Sequence, residues 1–285
     1  YTMASQYDNT AVGWKAMRAF TGLSSVAIGW EAMSGATGGS RATAVGGRTL
    51  QSQTSGSENT AIGYNSMASN TSGYENSAVG RDALLANTTG TRNTASGFEA
   101  LKSNTTGGEN TAMGRRALST NTTASGNIGI GAYALRDNTT GTSNTSVGNY
   151  ALSANITGTE NSAIGMNSLL SNTTGHSNTA VGFTSLGANT TGYMNVGMGY
   201  KALHSCNLGF KNVGIGAEAF YRLTTGDTNV GVGYYALRNA TSGDDNTAVG
   251  ASALATCTTA SDNTAVGSSA LFANTTGTEN VAIGK

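Results

Sequence analysis

One glycine fixes what this chain can fold into. It closes the phrase Asn76-Ser77-Ala78-Val79-Gly80, and the phrase starts again at Asn93-Thr94-Ala95-Ser96-Gly97. The same glycine recurs as Gly13, Gly29, Gly46, Gly63, Gly80, Gly97, Gly114, Gly131, Gly148, Gly165, Gly182, Gly199, Gly216, Gly233, Gly250, Gly267 and Gly284, in 17 copies. The first interval is 16 residues and every later one is 17. A fixed period this short means a solenoid or array, whatever domain count the length would suggest. The expectation is a single repeat array over residues 1–285, irregular over 1–58 and regular over 59–285. The chain begins at Tyr1 and stops at Gly284-Lys285 inside a repeat, as expected of a processed chain or a piece of a longer one.

With the glycine as position 0, position −1 is Val, Ile or Met in every copy except Ser96. Position −2 is Ala, Gly or Ser, and position −3 is Thr, Ser, Val or Ile. Along a strand, −3 and −1 share one face and −2 takes the other. This pattern and the absence of proline, which cannot donate to a strand ladder, predict an all-β chain, a parallel β-roll or β-solenoid of 17-residue coils. Position +3 is Ala, Ser or Thr and +4 is mostly Leu, which reads as a second short strand with one tiny face and one large apolar face. Strands restricted on both faces are expected to be buried on both.

A 17-residue coil has one interior. If the small residues Ala78, Ala83, Ala95, Ala100, Ala112 and Ala117 fill a narrow interior, the larger apolar residues face outward. Those would be Val79, Met113, Ile130, Val147, Ile164 and Val181 at −1, with Leu84, Leu101, Leu118, Leu135, Leu152, Leu169 and Leu186 at +4. Continuous apolar stripes of that kind mark an interface. The expected partner is the chain itself, three copies around one axis. The alternative is a wider monomeric solenoid with Val, Ile and Leu inside and Ala and Gly outside.

Gly80, Gly97, Gly114, Gly131, Gly148, Gly165 and Gly182 read as turn residues with positive φ. Asn76, Asn93, Asn110, Asn127, Asn144, Asn161 and Asn178 at −4 suggest an internal asparagine ladder, or side chains that cap a local turn; the two are compatible. The segment Asn-Thr-Thr-Gly from +7, as at Asn87 and Asn138, reads as a polar loop. From Asn195 to Val232 the −3 residue gains a methyl-rich side chain while −2 becomes Gly, which suggests volume traded across the strand.

No chemistry stands out. Charged residues are 11% and the net charge is zero, so the basic footprint of a nucleic-acid partner is missing. No run of 18 apolar residues suggests membrane insertion. His176 and His204 sit at different repeat positions, and no Cys/His cluster has metal-ligand spacing, so neither metal nor cofactor is expected. Cys206 and Cys257 share a position three periods apart, roughly 14 Å at about 4.8 Å per coil, too far for a disulfide. Acidic residues recur at −5 (Asp8, Glu58, Glu75, Glu109, Glu160, Asp245, Asp262, Glu279) and read as a solvated edge or a cation-binding row. Aromatic residues at +1 (Trp14, Trp30, Tyr64, Phe98, Phe183, Tyr200, Tyr234) could stack on sugars or cover a seam between chains. Asn87, Asn104, Asn121, Asn138, Asn155, Asn172, Asn189 and Asn274 begin Asn-x-Ser/Thr sequons that the repeat itself generates.

The Asn-Thr-Ala-Val-Gly…Ala-Leu…Asn-Thr-Thr-Gly phrase resembles repeats of phage and virus tail-fibre proteins. It also resembles the head repeats of trimeric autotransporter adhesins, which carry a similar Ala-Ile-Gly strand motif in a shorter unit. The resemblance implies a left-handed, trimeric β-roll acting as an adhesive or spacer shaft. Its setting would be extracellular, on a cell-surface appendage or a virion, with a receptor or glycan as a further partner. Two other functions remain open from the sequence: an ice-binding solenoid, because Thr-rich flat faces can order water, and a filament subunit stacking end to end. No enzyme is expected.

Overall fold

A computed structural model describes residues 8–285. Every strand is three residues long and occupies positions −3 to −1. The described residues form two compact units, 8–143 and 144–285. The first holds β1 (Thr10–Val12), β2 (Val26–Ile28), β3 (Thr43–Val45), β4 (Thr60–Ile62), β5 (Ser77–Val79), β6 (Thr94–Ser96), β7 (Thr111–Met113) and β8 (Ile128–Ile130). The second holds β9 (Thr145–Val147), β10 (Ser162–Ile164), β11 (Thr179–Val181), β12 (Val196–Met198), β13 (Val213–Ile215), β14 (Val230–Val232), β15 (Thr247–Val249), β16 (Thr264–Val266) and β17 (Val281–Ile283).

Consecutive strands within each unit pair in parallel and in strict register. Ser77 lies beside Thr94, Ala78 beside Ala95 and Val79 beside Ser96. In the second unit Val213 lies beside Val230 and Ile215 beside Val232. Each unit is therefore a parallel β-solenoid with one strand per coil. Parallel strands need a crossover of a dozen or more residues, and the rest of each repeat supplies it by wrapping once round the coil. The 16-residue interval keeps the same register, Thr10 beside Val26. The missing residue is taken from the loop.

The corners of the coil are made by backbone handedness. Ordinary residues at +2, +4 and −5 hold positive φ, as in Asp82 (56°), Leu84 (49°) and Glu75 (56°). Such residues each cost roughly 1–2 kcal/mol against a right-handed conformation. The cost is offset because the N–H at each of these corners reaches a neighbouring coil. Asp82 donates to the Tyr64 carbonyl at 2.9 Å, Leu84 to that of Ala100 at 3.0 Å and Glu75 to that of Ser57 at 3.0 Å. The glycine at 0 goes further, with φ of 136° at Gly80 and 142° at Gly148.

These corners overturn half of the expected outward stripe. Leu84, Leu101, Leu118, Leu135, Leu152, Leu169 and Leu186 are completely buried inside their own chain. Alternating faces require extended backbone, and positive φ at +2 and +4 removes it. The side chains at +3 and +4 both turn inward, so Ala83, Ala100 and Ala117 share the interior with the leucines beside them. The strand itself does alternate. Ala78, Ala95 and Ala112 are buried, whereas Val79 and Met113 on the other face are 40% and 46% exposed. The interior is thus wider than Ala alone would fill, and the −1 rank stays outside it. This matches neither the narrow coil nor the alternative that puts Ala and Gly outside.

The Gly-rich strands of the second unit fit the same geometry. Position −3 faces outward and −2 inward, so volume is not traded across the strand as the sequence suggested. At Gly231 the volume is instead matched by the +4 residue of the preceding coil. Phe220 occupies that rank and is fully buried. A Cβ on Gly231 would lie 2.5 Å from its ring. We expect Gly231→Ala to destabilise the second unit by about 1–3 kcal/mol, the usual cost of overpacking. Adding Phe220→Leu is expected to remove most of that loss, as Leu packs under Ala in coils such as Leu84 under Ala95. A double-mutant cycle in denaturant checks this, and simple additivity of the two changes would refute it.

Candidate interaction face

The outward strand face carries two ranks, −3 and −1. In no copy does either hold a charged or aromatic residue. In the first unit Val79, Met113 and Ile130 stand exposed at −1, and Ser96 interrupts the rank. In the second unit all nine −1 residues, from Val147 to Ile283, are apolar. Ile164 is 45% exposed, while Val147 and Val181 are half-buried. At −3, hydroxyls such as those of Thr43, Thr60, Thr111, Thr179 and Thr247 make no side-chain hydrogen bond among the described residues. The threonines at +8 differ: Thr88 Oγ1 donates to the Thr105 carbonyl at 3.0 Å and Thr105 Oγ1 to that of Thr122 at 3.1 Å.

Aromatic rings flank this face. Trp14 and Trp30 at +1 stack at 6.2 Å, and Phe183 and Tyr200 at 5.7 Å. At −6, Tyr193 lies between His176 and Phe210, 5.0 Å from each. Near-parallel stacking turns these ring faces toward one another, which leaves mainly edges for a sugar. Cations cover several of the rings, Lys15 over Trp14 at 3.9 Å and Arg48 over Trp30 at 4.6 Å.

Two amide ladders hold the face in register from inside. Asn93 is fully buried. Its Nδ2 donates to Asn76 Oδ1 at 3.1 Å and to the Gly107 carbonyl at 2.9 Å. Its Oδ1 accepts from both the backbone N and Nδ2 of Asn110. The pattern recurs at Asn161 and Asn178 in the second unit, while Asn127 Nδ2 donates to the Gly141 carbonyl and Asn144 Nδ2 to that of Gly158. The segment read as a polar loop contains the second ladder. Asn104 Nδ2 donates to Asn87 Oδ1 and Asn121 Nδ2 to Asn104 Oδ1, each at 2.9 Å. A signal for this was present in the sequence: Phe20, Leu223, Cys206 and Cys257 replace Asn at that position, and a solvated loop does not select Phe, Leu or Cys.

Burial at +7 decides the sequons. Asn87, Asn104, Asn121, Asn138, Asn155, Asn172 and Asn189 are fully buried, so a glycan on any of their amides is incompatible with the folded coil; Asn274 is only partly buried. The ladder ends at Cys206, whose thiol faces the Gly209 carbonyl at 3.7 Å. Asn189 Oδ1 is consequently the one buried side-chain polar atom among the described residues with no partner. Both cysteines are free and buried, and burial pushes the Cys206 thiol up to about 12, so it is inert as a nucleophile.

The acidic −5 rank lies on an exposed edge and is partly paired. Arg92 bridges Glu75 at 3.0 Å and Glu109 at 3.3 Å, and Arg41 meets Glu58 at 2.9 Å. Exposed pairs of this kind contribute little. Among the described residues, no group of three or more His, Cys, Asp or Glu could hold a metal ion, and no helix is long and apolar enough to cross a membrane. No family model matches the chain, and no curated protein matches it at a significant level.

Proposed function

We propose that this chain is a structural and adhesive fibre segment, extracellular or on a virion, whose coils stiffen a shaft while their outward strand faces pack against other copies. The observation that carries this reading is the −1 rank, apolar in every coil but one and unpartnered within its own chain. A three-residue strand presents a face only about 10 Å wide, close to the spacing at which sheets pack face to face. Three such narrow faces around one axis would each cover two neighbours, whereas a pair would leave flanks in water. Three copies is therefore the favoured count. The reading assigns the chain no catalytic step.

The test is mass in solution. The natural chain is expected to sediment as a trimer. The double variant Ile164→Glu, Ile215→Glu, altered only at exposed positions, should sediment as a folded monomer with the circular dichroism of the parent. A natural chain that stays monomeric at the highest soluble concentration would end this reading.

A second reading is favoured by one observation, the unpartnered −3 threonine hydroxyls repeated in register beside methyl groups. Such an array could order water, as an ice-binding surface does. The irregular +1 side chains bordering it, from Trp14 to Arg115, weigh against a flat contact with a crystal. A thermal-hysteresis measurement separates the two readings, since the fibre reading expects none.

A further inference from the structure

In a repeat array, constraints other than the scaffold show where the repeat is broken. The first three coils break it most. They contain the 16-residue interval, replace the +7 asparagine with Phe20, Ala36 and Gln53, and hold both tryptophans of the chain. A groove of about 380 Å³ lies across the same coils. Lys15 and Arg18 line it from one coil, Glu31 and Ser34 from the next and Gln51 from the third. Gly35 also lines it, and a Cβ there would sit 2.9 Å from the Gln51 carbonyl oxygen.

The charges in the groove are unevenly used. Glu31 is engaged by Arg48 Nε at 3.2 Å and by Lys15 Nζ at 3.9 Å. Arg18 has no carboxylate partner among the described residues. Gln51 Nε2 donates to Ser34 Oγ at 3.3 Å, which leaves the serine proton and the glutamine carbonyl oxygen of these two lining residues for further hydrogen bonds. The groove thus offers one uncommitted guanidinium, suited to a bidentate carboxylate, beside a row of neutral donors and acceptors. We propose that this groove binds a carboxylated saccharide, with the carboxylate on Arg18 and ring hydroxyls on Ser34 and Gln51. The inference rests on the fibre reading only for its setting, where such a site would serve attachment.

The two tryptophans give the test a local reporter, since Trp14 carries the groove residue Lys15 on its ring and Trp30 carries Arg48, which holds Glu31 of the groove. Galacturonic acid and its disaccharide are titrated into the full chain with galactose as the neutral control, and tryptophan fluorescence is followed. Saturable change with the uronates, with a Kd on the order of 1 mM and a much weaker response to galactose, is expected. Arg18→Gln should weaken uronate binding roughly tenfold, the loss of one charge-assisted contact, and Gln51→Leu should weaken both ligands. Arg222→Gln, an exposed arginine of the second unit, should change nothing. No saturable response, an equal response to galactose, or an unaltered Arg18→Gln variant would overturn the proposal. Uronate binding by a chain that sediments as a monomer would remove the shaft reading and leave the groove.

Discussion

Gly182→Ala is expected to destabilise the second unit by about 3 kcal/mol or more. Two independent costs add at that residue. The backbone has φ of 128°, outside the regions that residues with a Cβ occupy readily, and strain of this kind is worth about 1–3 kcal/mol. The new Cβ would also lie 2.5 Å from the Gly199 carbonyl oxygen of the next coil. That oxygen cannot yield easily, because Gly199 follows β12 directly and its own N–H is held by the Val181 carbonyl at 2.7 Å. Thermal and urea unfolding followed by circular dichroism measure the loss. A comparison variant at the +5 position, Gly187→Ala, would test strain separately, since Gly187 does not have positive φ and its nearest neighbour is the side chain of Thr184. If Gly182→Ala unfolds within error of the parent, close apposition of successive coils at this rank is not what selects glycine there.

The same glycine shows what the sequence could and could not convey. Its recurrence set the coil length, the parallel pairing and the strand position, because period and register are properties of a pattern. The outward −1 rank and the inward −2 rank followed from alternation over three residues. Alternation then misled at Leu84, because nothing in a leucine announces positive φ. Its conformation is imposed by a backbone hydrogen bond to the adjacent coil, which local propensity does not encode. The second amide ladder was missed for a related reason. Asn-Thr-Thr-Gly is good turn chemistry, and turn chemistry and burial are compatible when the next coil supplies the partners. The groove over Arg18 and Ser34 was not visible at all, since it joins residues of three coils at positions where the repeat has no consensus.

A ladder of buried amides is a demanding structure, and a single-atom change tests it. In Asn93→Asp the protonated carboxyl can imitate the amide, with Oδ1 accepting from Asn110 and the Oδ2 proton directed at Asn76 Oδ1 or the Gly107 carbonyl. The ionised carboxylate cannot. Its Oδ2 would face those two acceptors, which Asn93 Nδ2 meets at 3.1 and 2.9 Å, in a site with no exposed surface. Burial and the facing oxygens both disfavour the charge, so the aspartate pKa in the folded state is raised above its unfolded value of about 3.9. A group raised in this way leaves stability intact below the unfolded pKa and removes it as pH rises toward the folded one. A shift of about three units corresponds to a loss of roughly 4 kcal/mol at pH 7 relative to pH 3.5. Asn93→Ala separates the ladder from the charge. It orphans the Asn110 amide and its own former partners at every pH, so its loss of about 3 kcal/mol should be nearly flat across the same range. Urea titrations of the parent and both variants from pH 3.5 to 7.5 give the comparison. An Asn93→Asp chain as stable at pH 7 as at pH 4 would mean that water reaches this rank, and that amide pairing from coil to coil does not hold the strands in register.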